Sequence, residues 1–560
     1  MRRAKIIATL GPASNSFEKI KELIKAGLDV ARINMSHGDH AGHKKVIANI
    51  RQASLELDKE VAVLLDLQGP KIRVDKLQKP LELKNGEEWV IGESSLEEAY
   101  PQYRGKYIPT IYKDLVKDCH DGARILFSDG LLSAVATEKD GDVYKIKITN
   151  GGLLTANKGI NLPDCDVSAP SFGTKDRDDL MFGLAEQVDY VALSFVRKSA
   201  DVLAVKALLH RLKCNIPVVA KIEKPQAVDN LDDILSITDI IMVARGDMGV
   251  EVGNHLVPAI QKDIINKCNR IGTPVIIATQ MLESMMENPT PTRAEASDVA
   301  NAIWDGADAV MLSGETAAGK YPLDAVKMMD QIVLEAEKIP RERPLLRNMD
   351  LSSVNAATMV AASMVAEKVE AKQIIAVTES GHSCLKISRF RPQVPVLGVT
   401  NSMATARRLA FYWGITPFYI ADYDWANFDF QVHVINKVKH DLNLTNGDKV
   451  VISRGDGQFF AQGSSNSVKV EIIKDMPKIA GGGDTLQSVR FSKGQFNLDT
   501  SICGSCQNCV TICPHHIWKV TDDEKHTTYI DSEKASFCEM DEECIKICPT
   551  GAIELLPNSH

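Results

Sequence analysis

The chain has 560 residues, too many for one hydrophobic core, and a usual domain size of ~100–200 residues predicts about three or four domains. Its residues are 44% hydrophobic and 25% charged, a composition typical of a soluble globular enzyme. The formal net charge of −9 argues against a nucleic-acid-binding surface, which needs clustered Lys and Arg.

The sequence offers no candidate membrane segment. No apolar run approaches the ~18 residues that a membrane-spanning helix needs. Residues 1–5 (MRRAK) lead directly into a predicted strand, without an apolar leader or a small-residue cleavage site. These features predict a cytoplasmic protein.

Short apolar, β-branched runs recur up to Leu312 and predict the strands of a barrel. Amphipathic helices separate most of them, such as 17–26, which follows Asn15 and Ser16 and ends at Gly27. Strand–helix alternation repeated eight times predicts a TIM barrel, formed by residues 1–70 and 166–344. The predicted strands are 6–10, 30–34, 61–66, 190–195, 217–222, 240–244, 274–279 and 309–312.

The interval between the third and fourth of these strands is too long for one crossover helix. Residues 71–165 show short alternating strands separated by turns such as Asn85-Gly86 and Asp129-Gly130. They predict a β-rich lid domain inserted into a barrel loop. Its predicted strands are 81–83, 89–91, 124–127 and 144–148.

A third unit is predicted at residues 345–474. Helices alternate with its first strands, which predicts an open α/β sheet. Its predicted strands are 373–377, 394–399, 416–420, 449–453 and 469–473.

Polar residues follow nearly every predicted barrel strand, at the end where TIM-barrel active sites lie. Packing alone does not explain so many charges and hydroxyls at strand ends. The set comprises Arg32, Asn34, Ser36, Asp66, Ser194, Arg197, Lys221, Glu223, Arg245, Asp247, Thr279, Gln280, Ser313 and Glu315.

These residue types suit phosphoryl chemistry. Glu223 and Asp247 are oxygen ligands of the kind that Mg²⁺ or Mn²⁺ prefers. Arg32 offers a fork-shaped contact to a phosphate, and so does Arg73. Lys221 lies two residues before Glu223, so both side chains project to one side of the strand, where an ammonium can stabilise developing negative charge.

Seven motifs in residues 1–474 closely resemble those of pyruvate kinases. The resemblance implies phosphoryl transfer from phosphoenolpyruvate to ADP, with ATP and pyruvate as products, and a homotetramer. The motifs are 5–12 (KIIATLGP), 31–38 (ARINMSHG), 221–223 (KIE), 243–247 (VARGD), 278–284 (ATQMLES), 291–295 (PTRAE) and 311–317 (MLSGETA).

The resemblance implies roles for the barrel residues. Arg32 and Lys221 would contact the transferring phosphoryl group, and Lys221 would also stabilise the enolate. Glu223 and Asp247 would hold the divalent metal. Gly246, Asp247 and Thr279 would surround the substrate carboxylate, with Thr279 in the region that delivers a proton to the enolpyruvate.

The resemblance also implies contacts outside this group. Arg73 and Lys158 resemble nucleotide-phosphate contacts. The loop 378–383 lies where family members bind sugar-phosphate effectors, and it predicts a sugar-phosphate or nucleotide effector. A strand–helix turn favours Ser and Gly in any case, so an ordinary turn remains the alternative.

One departure concerns the monovalent cation, which Asn34, Ser36 and Asp66 would surround in cation-dependent members. Those members carry Thr, Lys, Glu and Thr at positions that here read Leu67, Gln68, Lys71 and Val74. Leu67 lacks a hydroxyl ligand, and the Lys71 ammonium stands where a carboxylate is usual, so a fixed charge could replace K⁺. The sequence predicts K⁺-independent activity; the alternative is a solvent-facing Lys71.

The C-terminal segment has a different character. Residues 475–497 include a Gly-rich run and predict a linker, and 498–560 predict a small ferredoxin-like α+β domain. Seven of the 12 cysteines lie here, in two runs that resemble those of bacterial two-cluster ferredoxins. The other five, predicted to be buried thiols, are Cys119, Cys165, Cys214, Cys268 and Cys384.

The resemblance assigns two sets of iron–sulfur ligands. The 4Fe–4S set is Cys503, Cys506, Cys509 and Cys548, and the second set is Cys513, Cys538, Asp541 and Cys544. Asp541 stands where a cysteine is expected, so the second cluster is predicted to be a labile 4Fe–4S or a 3Fe–4S cluster, with an empty second site as the alternative. The two Cys-Pro endings disfavour zinc or disulfides.

The role of this tail stays open. It could carry electrons to a redox partner, sense redox state and alter the kinase, or serve as a structural or docking module. From residue 475 to 560 there are 13 acidic and 7 basic residues, a balance of −6 that suits a basic partner but also simple solubility. For the barrel, the alternative is a phosphoenolpyruvate-using lyase or aldolase.

Overall fold

The computed structural model describes the greater part of the chain. None of the helices in this part is long and apolar enough to cross a membrane. The described residues are 2–70, 72–339, 353–420, 434–435, 438–439, 442–455, 465–473, 486–491, 494–499, 503, 508–513, 517–520, 528–531, 543–548 and 552–557.

Eight of the described strands form a closed parallel barrel, which confirms the predicted TIM-like architecture. The strands follow one another around the barrel in chain order, and the last pairs with the first. The strands are Lys5–Thr9, Val30–Asn34, Ala62–Asp66, Tyr190–Leu193, Val218–Ile222, Ile240–Ala244, Val275–Ala278 and Ala309–Leu312. The helices are Phe17–Lys25, His40–Glu56, Thr174–Ala185, Ser199–Arg211, Pro225–Asp229, Leu231–Leu235, Arg245–Val252, Val257–Ile271, Arg293–Asp305, Gly314–Ala317 and Pro322–Ala336, with a 3-10 turn at Glu283–Met286.

The barrel strands are buried on both faces, as parallel strands covered by helices must be. Ile7 and Leu64 belong to one core cluster, whereas Ile6 and Ala8 belong to another. This alternation follows from the two-residue period of a strand. The first helix begins where the capping residue predicted it, since the Ser16 hydroxyl accepts a hydrogen bond from Lys19 N.

The first barrel strand, predicted as 6–10, ends at Thr9, and the strands predicted as 190–195 and 274–279 end at Leu193 and Ala278. The last two stop for a clear backbone reason. The backbone takes a left-handed conformation at Phe195 (φ 54°) and at Thr279 (φ 70°), so neither residue continues the strand. Both positions start loops at the carboxyl end of the barrel. The sequence could not show these bends, because neither residue is a glycine.

The inserted unit is β-rich, as predicted, but has more strands than the sequence indicated. Six strands form one sheet in the order Ile160–Asn161, Arg124–Phe127, Leu132–Asp140, Val143–Asn150, Glu88–Glu93 and Tyr107–Thr110. Leu81–Leu83 and Gly152–Leu154 form a separate pair, and the remaining elements are helix Leu115–Asp118 and 3-10 turns at Ser94–Ala99 and Pro101–Tyr103. The predicted turns hold, since Gly86 and Gly130 both have φ 83°.

The following unit is an open α/β sheet, also as predicted. Its strand order is Ile415–Tyr419, Val396–Thr400, Gln373–Val377, Lys449–Gly455 and Ser465–Ile472, with the last strand antiparallel. Helices Val354–Lys368, His382–Arg389 and Met403–Leu409 accompany it. It contacts the amino-terminal face of the barrel, where Lys5 Nζ donates to Ile415 O at 2.8 Å.

The tail contains more structure than the predicted boundary implies. Strand Leu486–Phe491 pairs with Gly494–Asp499, although both begin within the predicted linker 475–497. The second of these strands also pairs with Ile553–Pro557, which joins the two ends of the tail. The other described elements are helices Asn508–Ile512 and Glu543–Ile547 and the strand pair Trp518–Val520 and Thr528–Ile530.

Candidate active site

A buried carboxylate, Asp66, lies at the centre of the polar carboxyl end of the barrel. It is 1% exposed and closes the third barrel strand. Arg32 Nε donates to its Oδ2 at 2.7 Å, and Lys221 Nζ lies 3.4 Å from its Oδ1. Burial by itself would raise the pKa of Asp66, but Lys221 and Arg32 together hold it below its usual value. The group is therefore an anion that holds two cations in place.

Lys221 is held by three neighbours. Its Nζ lies 2.9 Å from Glu223 Oε1 and donates to Ser194 Oγ at 2.7 Å, in addition to facing Asp66. Burial opposes its charge, yet the two carboxylates outweigh burial and raise the pKa of Lys221 above its usual value. The ammonium thus stays charged while it is almost entirely removed from water.

Glu223 is fully buried and is the stronger candidate metal ligand. Its Oε2 accepts a hydrogen bond from Phe195 N at 2.8 Å. Its Oε1 lies 2.9 Å from the Lys221 ammonium and has no well-aligned donor among the residues that the structure describes. Burial raises the pKa of Glu223, and nearby Asp247 adds to this, with Lys221 opposing. A divalent cation would add positive charge between Glu223 and Asp247, beyond that of Lys221.

Asp247 provides the second expected oxygen ligand. It lies half-buried in the first turn of helix Arg245–Val252. Among the described residues, no group of three or more His, Cys, Asp or Glu side chains could hold a metal ion by itself. Mg²⁺ is commonly held by one or two carboxylates together with water and substrate oxygens, and Glu223 and Asp247 would supply two carboxylates.

The predicted carboxylate site, made of Gly246, Asp247 and Thr279, comes together at the same face. Gly246 N donates to Thr279 Oγ1 at 2.7 Å, so the two residues are in direct contact. Arg245, which is 9% exposed, donates from its Nη2 to Thr279 O at 2.7 Å and to Gln280 O at 3.0 Å. These bonds hold the left-handed turn at Thr279 and Gln280.

A cleft lies between this face and the lid. Residues of both domains line it, among them Phe195 and Asp247 of the barrel and Asp129 and Gly159 of the lid. The predicted nucleotide contacts flank Gly159: Arg73 pairs with it in an isolated β-bridge, and the exposed Lys158 precedes it. Both lie at the lid edge beside the cleft.

The predicted monovalent-cation region is compact. Asn34 is paired with Asp66 across neighbouring strands, and its Oδ1 accepts from Ser36 N at 3.1 Å. Leu67 and Val74 are buried. Lys71 lies outside the described residues.

The loop 378–383 forms a tight strand–helix corner. Gly381 has φ 85° and its N donates to Thr378 Oγ1 at 3.0 Å. Burial, and then Lys386, lower the pKa of His382. The geometry is compatible with an anion site and equally with an ordinary turn.

Five of the predicted iron–sulfur ligands lie in one hydrophobic cluster of the tail with Phe496 and Trp518. Cys509 and Cys544 are buried and occupy the two short tail helices, which pack against each other. The other three, Cys503, Cys513 and Cys548, are half-buried. Cys506, Cys538 and Asp541 lie outside the described residues.

Of the five scattered cysteines, four are buried as predicted: Cys119, Cys165, Cys268 and Cys384. Cys214 is half-buried, because it lies in the loop after helix Ser199–Arg211.

Two contacts of the site were not predicted. Thr9 Oγ1 accepts from Arg32 Nη1 at 2.8 Å, and Phe195 supplies the backbone N–H that holds Glu223. Thr9 ends the first barrel strand, so the pattern of polar strand ends could have included it. The Phe195 contact comes from its left-handed backbone, which has no sequence signal.

Comparisons with known proteins agree with this arrangement. Residues 1–326 match the family "Pyruvate kinase, barrel domain", 356–471 match "Pyruvate kinase, alpha/beta domain", and 494–552 match "4Fe-4S dicluster domain". The chain is 42% identical over 484 residues to "Pyruvate kinase" of Sporosarcina psychrophila, covering 85% of this chain and 81% of that protein. It is 43% identical over 482 residues to "Pyruvate kinase" of Geobacillus stearothermophilus, with the same two shares.

The metal assignment predicts that Glu223→Gln weakens Mn²⁺ binding about tenfold or more, because the buried site loses its anionic oxygen. Asp247→Asn is expected to weaken binding as well. Electron paramagnetic resonance of free Mn²⁺ measures the affinity directly. Glu287→Gln, a change in an exposed ion pair with Lys320, is the control. Equal affinities in all variants would contradict the assignment.

Proposed function

The chain belongs to the pyruvate kinase family, and from this premise we propose that it transfers the phosphoryl group of phosphoenolpyruvate to ADP, yielding pyruvate and ATP. The observation that carries the proposal is the charged Lys221, held between Asp66 and Glu223 at the carboxyl end of the barrel. A fixed buried cation at this position suits a reaction in which negative charge moves between oxygens.

The reaction breaks the bond between phosphorus and the enol oxygen and forms a bond from phosphorus to a β-phosphate oxygen of ADP. Arg32 binds the phosphoryl oxygens with its guanidinium, which Asp66 and Thr9 orient. Lys221 lies beside the same oxygens and stabilises the enolate that remains. Because both cations are held before substrate arrives, little reorganisation is needed during transfer.

The remaining residues bind and complete the product. Glu223 and Asp247 would hold Mg²⁺ or Mn²⁺, which when bound supplies positive charge to the phosphate oxygens. The backbone at Gly246 and the Thr279 hydroxyl bind the carboxylate of the substrate. The region of Thr279 directs a proton, through water, to the methylene carbon of the enolate, which gives pyruvate.

A lyase or aldolase that uses phosphoenolpyruvate is the alternative for such a barrel. The lid cleft favours the kinase, because a lyase has no need for a nucleotide site flanked by Arg73 and Lys158. Release of pyruvate that requires ADP separates the two reactions.

For the assembly we propose a homotetramer in the cytoplasm, as in the family, with a sugar-phosphate or nucleotide effector at the loop 378–383. The corner at Gly381, at the start of helix His382–Arg389, supports an anion at this position.

The tail would carry two clusters. Cys503, Cys506, Cys509 and Cys548 would hold a 4Fe–4S cluster, and Cys513, Cys538, Asp541 and Cys544 a second 4Fe–4S or a 3Fe–4S cluster. The spacing of the cysteines and the dicluster-domain match of residues 494–552 support this assignment. The clusters supply one-electron chemistry when bound.

If the Lys71 ammonium replaces bound K⁺, pyruvate formation from phosphoenolpyruvate, ADP and Mg²⁺ does not depend on K⁺. The Lys71 ammonium would take the place of the ion, so Lys71→Glu is expected to create activation by K⁺ of about tenfold or more. The rate is measured with and without K⁺ at saturating substrates, and Lys76→Glu is the control for a lysine-to-glutamate change nearby. Strong activation of the unaltered protein by K⁺ would refute the replacement of K⁺ by Lys71. Failure to form pyruvate in any condition would refute the proposed kinase activity.

The role of the tail is tested with anaerobically purified protein, as isolated and after dithionite reduction. Because the tail forms its own core, apart from the barrel, we expect equal kinase rates in both states and electron transfer from the reduced tail to a low-potential acceptor. A several-fold difference between the kinase rates would instead indicate a redox sensor.

A further inference from the structure

The lid and the barrel meet at Glu251, a residue that the reaction described above does not use. Glu251 lies on helix Arg245–Val252, whose first turn carries Asp247. Its side chain is fully buried. Asn161, on the lid strand Ile160–Asn161, donates from Nδ2 to Glu251 Oε1 at 2.8 Å. A barrel carboxylate therefore accepts a hydrogen bond directly from the lid.

The same oxygen also receives a cation. Lys224 Nζ donates to Glu251 Oε1 at 2.5 Å, and its side chain is only 12% exposed. Lys224 directly follows Glu223, so the ion pair with Glu251 is one residue away along the chain from a candidate metal ligand. The other oxygen of Glu251, Oε2, is buried and has no hydrogen-bond partner within the described part of the chain.

Such an arrangement is costly if packing is its only purpose. A buried ion pair is often no more stabilising than well-packed apolar side chains, and a buried oxygen without a donor adds a further cost. A shared carboxylate does, however, fix the relative orientation of the groups that donate to it. Here those groups belong to the lid and to the loop that follows Glu223.

The contact also borders the cleft. Asn161 and Lys224 both line it, together with Asp247. The lid touches the same helix near Gly130, where an added Cβ would lie 3.5 Å from Val250. Helix Arg245–Val252 is thus a barrel surface that the lid contacts.

We propose that Glu251 is a positioning residue that seats the lid over the nucleotide, by holding Asn161 of the lid and Lys224 of the barrel on one carboxylate. This rests on the proposed kinase function. Loss of the contact misplaces the lid, so it weakens the use of ADP more than the use of phosphoenolpyruvate, which binds to the barrel.

The test first adds a second carboxylate to the contact and then moves the negative charge from position 251 to position 161. Asn161→Asp places two carboxylates face to face, and we expect it to raise the KM for ADP about tenfold, with the KM for phosphoenolpyruvate within about twofold of the original. The double variant Asn161→Asp with Glu251→Gln again has one carboxylate and one amide donor in the contact. The carboxylate is now at position 161, where it can serve as the partner of Lys224. We expect it to recover most of the lost affinity for ADP.

Asn150→Asp is the matched control, since Asn150 donates within the lid to Leu131 O and lies on the exposed side of its sheet. An unchanged KM for ADP in Asn161→Asp would overturn the proposal. So would a double variant no better than Asn161→Asp, because general damage to the lid does not reverse when the charges are exchanged.

The kinase proposal and the seating role of Glu251 can fail separately. If the unaltered protein forms no pyruvate, the kinase proposal fails. Limited proteolysis of the lid still tests the contact in that case: faster cleavage in Asn161→Asp than in the double variant supports the seating role, and equal cleavage overturns it.

Discussion

The site depends on one buried negative charge, that of Asp66. Arg32 and Lys221 are each 8% exposed, and two cations removed from water repel each other unless an anion lies between them. Asp66 is that anion, at 2.7 Å from Arg32 and 3.4 Å from Lys221. The three residues come from the second, third and fifth barrel strands, so closure of the barrel sets their distances. The barrel fold therefore sets the geometry of the charged groups on which the proposed chemistry depends.

A second constraint follows from helix Arg245–Val252. Its first turn carries Asp247 beside the cations, and its last turn carries Glu251 beneath the lid. Asp247, one of the two candidate metal ligands, and Glu251, which contacts the lid, are therefore carried by one helix. In contrast, the tail has its own core around Phe496 and Trp518. Its clusters would act as a separate module joined to the kinase.

The sequence predicted the barrel, the inserted lid, the α/β unit and the residues that meet at the strand ends, because periodic patterns and polar strand ends have simple structural causes. It missed features that depend on the folded backbone. The left-handed backbone at Phe195 places its N–H against Glu223, and no glycine in the sequence marks this turn. The contact of Asn161 with Glu251 joins residues of two domains, and neither belongs to a motif. Strand Leu486–Phe491 follows a Gly-rich run that is typical of a linker, so the sequence pattern does not indicate it.

The most direct test of this account is the rate of pyruvate formation by Asp66→Asn. We expect kcat to fall by about a hundredfold or more, because Arg32 and Lys221 lose the negative charge that holds them in position. Asp179→Asn is the matched control, a buried barrel aspartate whose partners are the more exposed Lys175 and His40. A kcat for Asp66→Asn close to that of the control would contradict the account.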